Sequence, residues 1–142
     1  MAVNNPTQGT LLARASVEDL VWDSQKRVYV LSYVGGPGTG MLFLGSYSNT
    51  ASVMAYGPQS ETQAISQNWL TTPKTAAYSY ATDNFQLAAG GALTTLDTSG
   101  SVPVVNQLTV GSWPGLIQRT ELYPRAMTSS ELAAITTPGV LV

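Results

Sequence analysis

The sequence predicts an all-β protein, an antiparallel sandwich or barrel with one short helix near the C-terminus. Three observations lead there. Apolar residues recur at every second position through most of the chain, the period of a half-buried strand. Pro6, Pro37, Pro58, Pro73, Pro103, Pro114, Pro124 and Pro138 all fall between these runs, where a missing N–H costs no ladder bond. Helical signals gather in a single place, residues 128–136.

The first strand is predicted where Leu11, Ala13, Ala15 and Val17 alternate with Thr10, Arg14 and Ser16. Val28–Val34 follows, apolar on both parities and therefore expected to be covered on both faces. Met41–Leu44 reads as a short central strand and Ser52–Tyr56 as the next. Ala76, Tyr78 and Tyr80 then lead through Asp83-Asn84 into Phe85, Leu87 and Ala89, and Asp-Asn predicts a tight hairpin because both side chains tolerate positive φ. Gly90-Gly91 predicts a second hairpin into Leu93–Leu96, and Val105–Val110 and Leu116–Tyr123 bring the total to roughly ten strands. The glycine-rich stretch Gly35–Gly40 lacks the Lys-Ser/Thr and the helix of a phosphate-binding loop, so it reads as a hairpin loop.

The helix opens on a capping box. Thr128 is placed to accept the backbone N–H of Glu131, whose side chain reaches back to the N–H of Thr128. Leu132 and Ile135 then anchor the helix on the β body.

Composition excludes several functions. At 142 residues the chain forms one domain, 1–142, with enough length to bury a core unaided. It has no cysteine and no histidine, so disulfides, thiolate metal clusters and the commonest general base are absent. Only 10% of residues are charged, the net charge is −2, and six Lys and Arg are spread along the chain, which argues against nucleic-acid binding. Apolar runs are too short for a membrane helix, and the opening residues lack the basic start and apolar stretch of a secretory leader.

The run Gly115-Leu-Ile-Gln-Arg-Thr-Glu-Leu-Tyr-Pro-Arg-Ala-Met-Thr-Ser-Ser-Glu-Leu132 joins strand, stop and cap in one register. It resembles the closing segment of concanavalin A-like lectin/laminin-G-like domains. A second match runs from Lys74 to Gly91, then through Asp97-Thr-Ser-Gly-Ser-Val-Pro103 and Leu108-Thr-Val-Gly111. It resembles the subgroup found mostly in bacteriophage tail and other virion proteins. Together the matches cover roughly residues 8–138. The resemblance implies a β-sandwich of the concanavalin A-like jelly-roll type in a phage virion protein.

The chain departs from that pattern in three ways. Gly111-Ser-Trp-Pro-Gly115 is shorter than the usual glycine-rich loop, and Gln118 stands where relatives often carry an acid. Many such domains hold Ca²⁺ through Asp/Asn clusters on rim loops, but no D-x-D or D-x-N cluster occurs here, so no metal or other cofactor is expected.

Glycoside hydrolysis needs two carboxylates flanking one bond. Glu18-Asp19 are adjacent and face opposite ways in a strand, Asp23 is near a turn, Glu121 stands alone in its strand, and Glu131 serves the cap. No catalytic residue is therefore assigned, and a Ser or Thr nucleophile has no histidine to activate it. Sugar binding needs an exposed aromatic face and nearby polar groups. Trp113, Trp69 and Trp22 are the available platforms, Trp113 first because it sits beside Pro114 in a shortened loop. Core or interface packing is the competing use of each. Tyr47 and Asn49, around Ser48, form a polar-aromatic turn. Asp83-Asn84 and Asp97 are expected to shape turns, and Arg125 to pack over the helix or pair with an acid.

The expected function is thus a non-enzymatic virion structural protein with a lectin-like fold. It would assemble with other capsid, tail or baseplate proteins, in multiple copies or as a homo-oligomer, and bind host-surface glycan. The alternative is a capsid decoration or cement protein with no ligand, with a polysaccharide-degrading enzyme a distant third. The absence of a coiled coil, collagen-like segment or trimerising stalk tilts the expectation toward architecture.

Overall fold

The structure, a computed structural model, describes residues 7–17, 27–34, 41–47, 52–56, 62–69, 73–102, 107–110 and 115–138. Ten strands and one helix follow in order: β1 (Gln8–Val17), β2 (Arg27–Val34), β3 (Met41–Tyr47), β4 (Ser52–Tyr56), β5 (Thr62–Asn68), β6 (Lys74–Ala81), β7 (Asn84–Ala89), β8 (Ala92–Leu93), β9 (Gln107–Val110), β10 (Gly115–Tyr123) and α1 (Ser129–Thr136). They form two five-stranded antiparallel sheets, β10-β1-β6-β7-β8 and β5-β4-β3-β2-β9. The architecture is the antiparallel sandwich with one short C-terminal helix.

Period two decides what lies between the sheets. Leu11, Ala13 and Ala15 of β1, Ala76, Tyr78 and Tyr80 of β6, and Phe85, Leu87 and Ala89 of β7 point inward. Leu42, Leu44, Ile65 and Trp69 meet them from the other sheet. Tyr80 lies over Gly9, its partner across the ladder. A Cβ built on Gly9 would stand 2.4 Å from the tyrosine oxygen, so no larger residue fits beneath the buried ring.

The opposite parity of the first sheet carries α1. Leu12, Ala77 and Ala88 are buried beneath Met127 and Leu132, with Tyr123 and Ile135 packed alongside. Small residues at 77 and 88 let the helix sit close. Polar side chains pin the segment that leads into it: Thr10 Oγ1 donates to the Arg125 carbonyl at 2.9 Å and accepts from Met127 N–H at 3.1 Å. Ser79 Oγ donates to the Met127 carbonyl at 3.3 Å, and Ser129 Oγ donates to Gln86 Oε1 at 2.7 Å.

Two hairpins border this sheet. The first turns on Thr82-Asp83, with Asn84 already paired to Ala81, one residue earlier than the sequence places it. Asp83 supplies the positive φ of 54°. The second has Gly90 and Gly91 at φ 56° and 86°, the double positive that a two-residue primed turn requires. Gly91 N–H donates to Thr136 Oγ1 at 3.1 Å, tying the turn to the end of α1.

The strand readings need two corrections. β5 has no counterpart among the sequence-predicted strands: it is a polar edge strand in which Ile65 is buried, so apolar alternation is too sparse to announce it. β8 is shorter than the predicted 93–96, and Asp97 makes an isolated bridge to Phe85 instead. No helix among the described residues is long and apolar enough to cross a membrane.

Candidate functional site

The strand registers place Val17, Lys74 and Gly115 at one end of the first sheet and Arg27, Tyr47 and Asn68 at the matching end of the second, here the upper end, while Val110 pairs with Leu31 midway along β2. Ser52 pairs with Asn68 and stands there too. Gln8, the Thr82-Asp83 turn and Tyr123 mark the lower end. The connections from β1 to β2 and from β5 to β6 therefore start and finish at the upper end, and that from β9 to β10 finishes there.

The sequence-predicted platforms relate to that end in different ways. Trp22, Asn49 and Trp113 lie outside the described residues. The strand ends that flank them do not: Val17 and Arg27, Tyr47 and Ser52, and Gly115 stand at the upper end, while Val110 pairs with Leu31 midway along β2. Tyr47 is the last residue of β3 and pairs with Arg27, so it belongs to a strand end rather than to a turn.

Trp69, directly after β5, is 0% exposed. Its indole N–H donates to the Gly45 carbonyl at 3.0 Å. This corrects its candidacy as a stacking platform: the ring closes the core at the upper end and has no free face.

The carboxylates with described side chains are committed to structure. Asp83 Oδ1 accepts Gly100 N–H at 3.0 Å while Asp83 N–H donates to the Gly100 carbonyl at 2.8 Å. Asp97 Oδ1 accepts from Ser99 N–H and Ser99 Oγ at 3.0 and 3.1 Å. Asp97-Thr-Ser-Gly100 is thus a turn clamped onto the β6–β7 hairpin, the use expected of both aspartates. Glu121 accepts from Arg119 and from the Tyr123 hydroxyl on one face of β10. Burial pushes the Glu121 carboxyl up, but the Tyr123 and Arg119 bonds together with the guanidinium charge hold it below its ordinary value. Burial, the bond to Glu121 and its negative charge raise the Tyr123 phenol.

Glu131 completes the capping box: Glu131 N–H donates to Thr128 Oγ1 at 3.2 Å, and Thr128 N–H to Glu131 Oε1 at 3.3 Å. Arg125 forks onto the same carboxylate, one bond being 3.0 Å. The Arg125 bond, then the Thr128 N–H, lower the Glu131 pKa to about 2. Among the described residues no three His, Cys, Asp or Glu side chains converge as a metal site.

Sequence reasoning missed the bulge in β10. Arg14 pairs with Arg119 and Ala15 with Ile117, leaving Gln118 as the extra residue. Its side chain accepts from Arg14 Nε at 3.0 Å, and Arg14 Nη1 donates to Thr75 Oγ1 at 3.1 Å. The unusual glutamine in the last strand was the signal available.

No protein-family model matches the chain, and no curated protein matches it. Solved structures do. The CBM40 domain of the Ruminococcus gnavus IT-sialidase, bound to α2,3 sialyllactose, superposes with a TM-score of 0.68 at 18% identity, over 92% of this chain and 83% of that one. The same domain in a structure described without sialyllactose gives 0.66 at 17%, over 93% and 84%. Trypanosoma rangeli sialidase gives 0.68 at 18%, over 92% of this chain, which spans only 22% of that enzyme's length. At this identity the likeness is one of fold, a β-sandwich shared with the CBM40 domain.

Proposed function

We propose that this chain is a non-enzymatic, lectin-like binding module, displayed on a bacteriophage particle and taking host-surface glycan at the upper end of its sandwich. The observation that carries the reading is the convergence of strand ends there. Val17 and Arg27, Tyr47 and Ser52, and Gly115 are strand ends that border, along the chain, the stretches holding Trp22, Asn49 and Trp113, and all five stand at that end. Two facts support it. A domain of the same fold, from Ruminococcus gnavus, is bound to a sialylated sugar. Asp83, Asp97, Glu121 and Glu131 are spent on turns, a cap and ion pairs, which leaves no described carboxylate pair to work as acid and base. The virion assignment rests on the sequence resemblance alone.

Trp113 is the first stacking platform in this proposal, since Trp69 is core and 111–114 is a short connection. Calorimetric titration with 3′-sialyllactose and lactose, preceded by a glycan array, tests it. Trp113→Ala is expected to abolish binding with little change in melting temperature, and the wild type is expected to release no sugar. A folded protein that binds nothing on the array overturns the glycan reading.

A purely architectural capsid or tail subunit is the second reading. Leu108, Val110 and Leu116 are 40%, 52% and 54% exposed on β9 and β10, the edge strands on one side of the sandwich, where a neighbouring subunit would cover them. Copy number in purified particles separates the two: hundreds of copies for a capsid role, a few tens or fewer for the tail.

A further inference from the structure

Between the last turn of α1 and the outer face of β1 and β6 lies a cavity of about 180 Å³. Arg14, Lys74, Thr75 and Thr136 line it, with Pro73 and Pro138 as walls. We propose that it binds one oxyanion group, a carboxylate or sulfate, free or carried on a saccharide. The inference goes beyond the glycan reading and does not rest on it.

Charge pairing is the first argument. Arg119 is paired with Glu121 and Arg125 with Glu131. Arg14 and Lys74 have no carboxylate partner among the described residues, and both line this one cavity. Asp83 and Asp97 belong to the lower end, a strand length away. At about 3.3 Å per residue along β6 that is on the order of 20 Å, well past the roughly 8–10 Å over which salt water screens a charge.

Preorganisation is the second. The β10 bulge aims Gln118 at Arg14, and the cross-strand Thr75 holds the same guanidinium from the other side. Both partners are neutral acceptors, so they fix the orientation of the guanidinium and leave its charge uncompensated. Its remaining N–H groups keep the fork geometry that suits a carboxylate or sulfate, and Lys74, at the start of β6, lines the same cavity. The C-terminus of α1 works against an anion, but it amounts to roughly half a negative charge against the full positive charge of the guanidinium. Size agrees with a single group: the cavity is smaller than the roughly 300–1,000 Å³ of a site for a drug-sized ligand.

The test is an amide NMR titration of the ¹⁵N-labelled protein with sodium sulfate, sodium glucuronate and glucose, at ionic strength held constant with sodium chloride. Saturable shifts at Arg14, Lys74, Thr75 and Gly90 are expected with sulfate or glucuronate and none with glucose. Tighter binding of glucuronate than of sulfate makes the saccharide the source, and the reverse makes it the free anion. Lys74→Gln and Arg14→Gln should each weaken the anion about tenfold. Lys74→Gln removes no hydrogen bond shown by the described residues, so it remains informative if Arg14→Gln unfolds the domain. Shifts that never saturate, or that are equal in wild type and Lys74→Gln, overturn the proposal. Loss of array binding in Trp113→Ala with these shifts intact would leave it standing.

Discussion

The two faces of the β10-β1-β6-β7-β8 sheet are built from the same strands by opposite means. The inner face uses bulk: Leu11, Tyr78, Tyr80, Phe85 and Leu87 are buried against Leu42, Leu44 and Trp69. The outer face sets a single large residue, Leu12, among Thr10, Ala77, Ser79, Gln86 and Ala88, small or polar residues that admit a short helix and hold its lead-in with side-chain hydrogen bonds. Dispersion and solvent exclusion stabilise the first, whereas geometry and polar satisfaction decide the second. An eight-residue helix is too short to persist alone in water, so its existence depends on that docking.

The largest expected effect is on the inner face. Trp69→Ala should cost about 3–5 kcal/mol, measured by denaturant unfolding, because it empties a fully enclosed site and removes the indole bond to the Gly45 carbonyl. A cost below about 1 kcal/mol would mean that the indole is not part of the core. Thr10→Val is the matching probe of the outer face. It keeps the shape and leaves the Met127 N–H and Arg125 carbonyl without their partner, for an expected loss of roughly 1–3 kcal/mol. Hydrogen exchange should then show α1 opening before the sandwich; simultaneous opening of both would erase the distinction between the faces.

Thr128→Ala should cost about 1 kcal/mol through loss of the cap, again read from denaturant midpoints. The smallest effect is that of pH. Glu131 titrates at about 2 when folded, against an ordinary carboxylate value of 4.5. Its contribution is therefore fully present above about pH 4.5 and drains away as pH falls toward 2. Exposure of the Arg125–Glu131 pair to solvent keeps it small. Unfolding midpoints between pH 6 and 2 should fall less steeply in Glu131→Gln; identical slopes would remove the ion pair from the account.

What was legible in the sequence was what local chemistry controls. Strands such as β1, β6 and β7 showed because the face between the sheets is filled by apolar residues at alternate positions. The helix showed because Thr128 and Glu131 satisfy each other's backbone within four residues. β5 stayed hidden because Ala64 and Ile65 are the only apolar residues in its sequence, too few to show a period of two. Gly90-Gly91 was readable because few other residues tolerate two successive positive φ angles.

The candidate site was only half legible. A tryptophan beside a turn looks the same in sequence whether it closes a core or meets a sugar, and the burial of Trp69 follows from Gly45, 24 positions away. The pairing of Thr10 with Met127, 117 residues apart, and the meeting of Arg14, Lys74 and Thr136 at one cavity are likewise products of strand order. By itself, then, the sequence determined the all-β class, most strand positions, the turns and the capped helix, since each depends on residues that are neighbours along the chain. Only the tertiary structure decided that Trp69 is core, where the helix docks and that Arg14 and Lys74 line one cavity, because those depend on contacts between residues that the chain holds far apart until the sheets assemble.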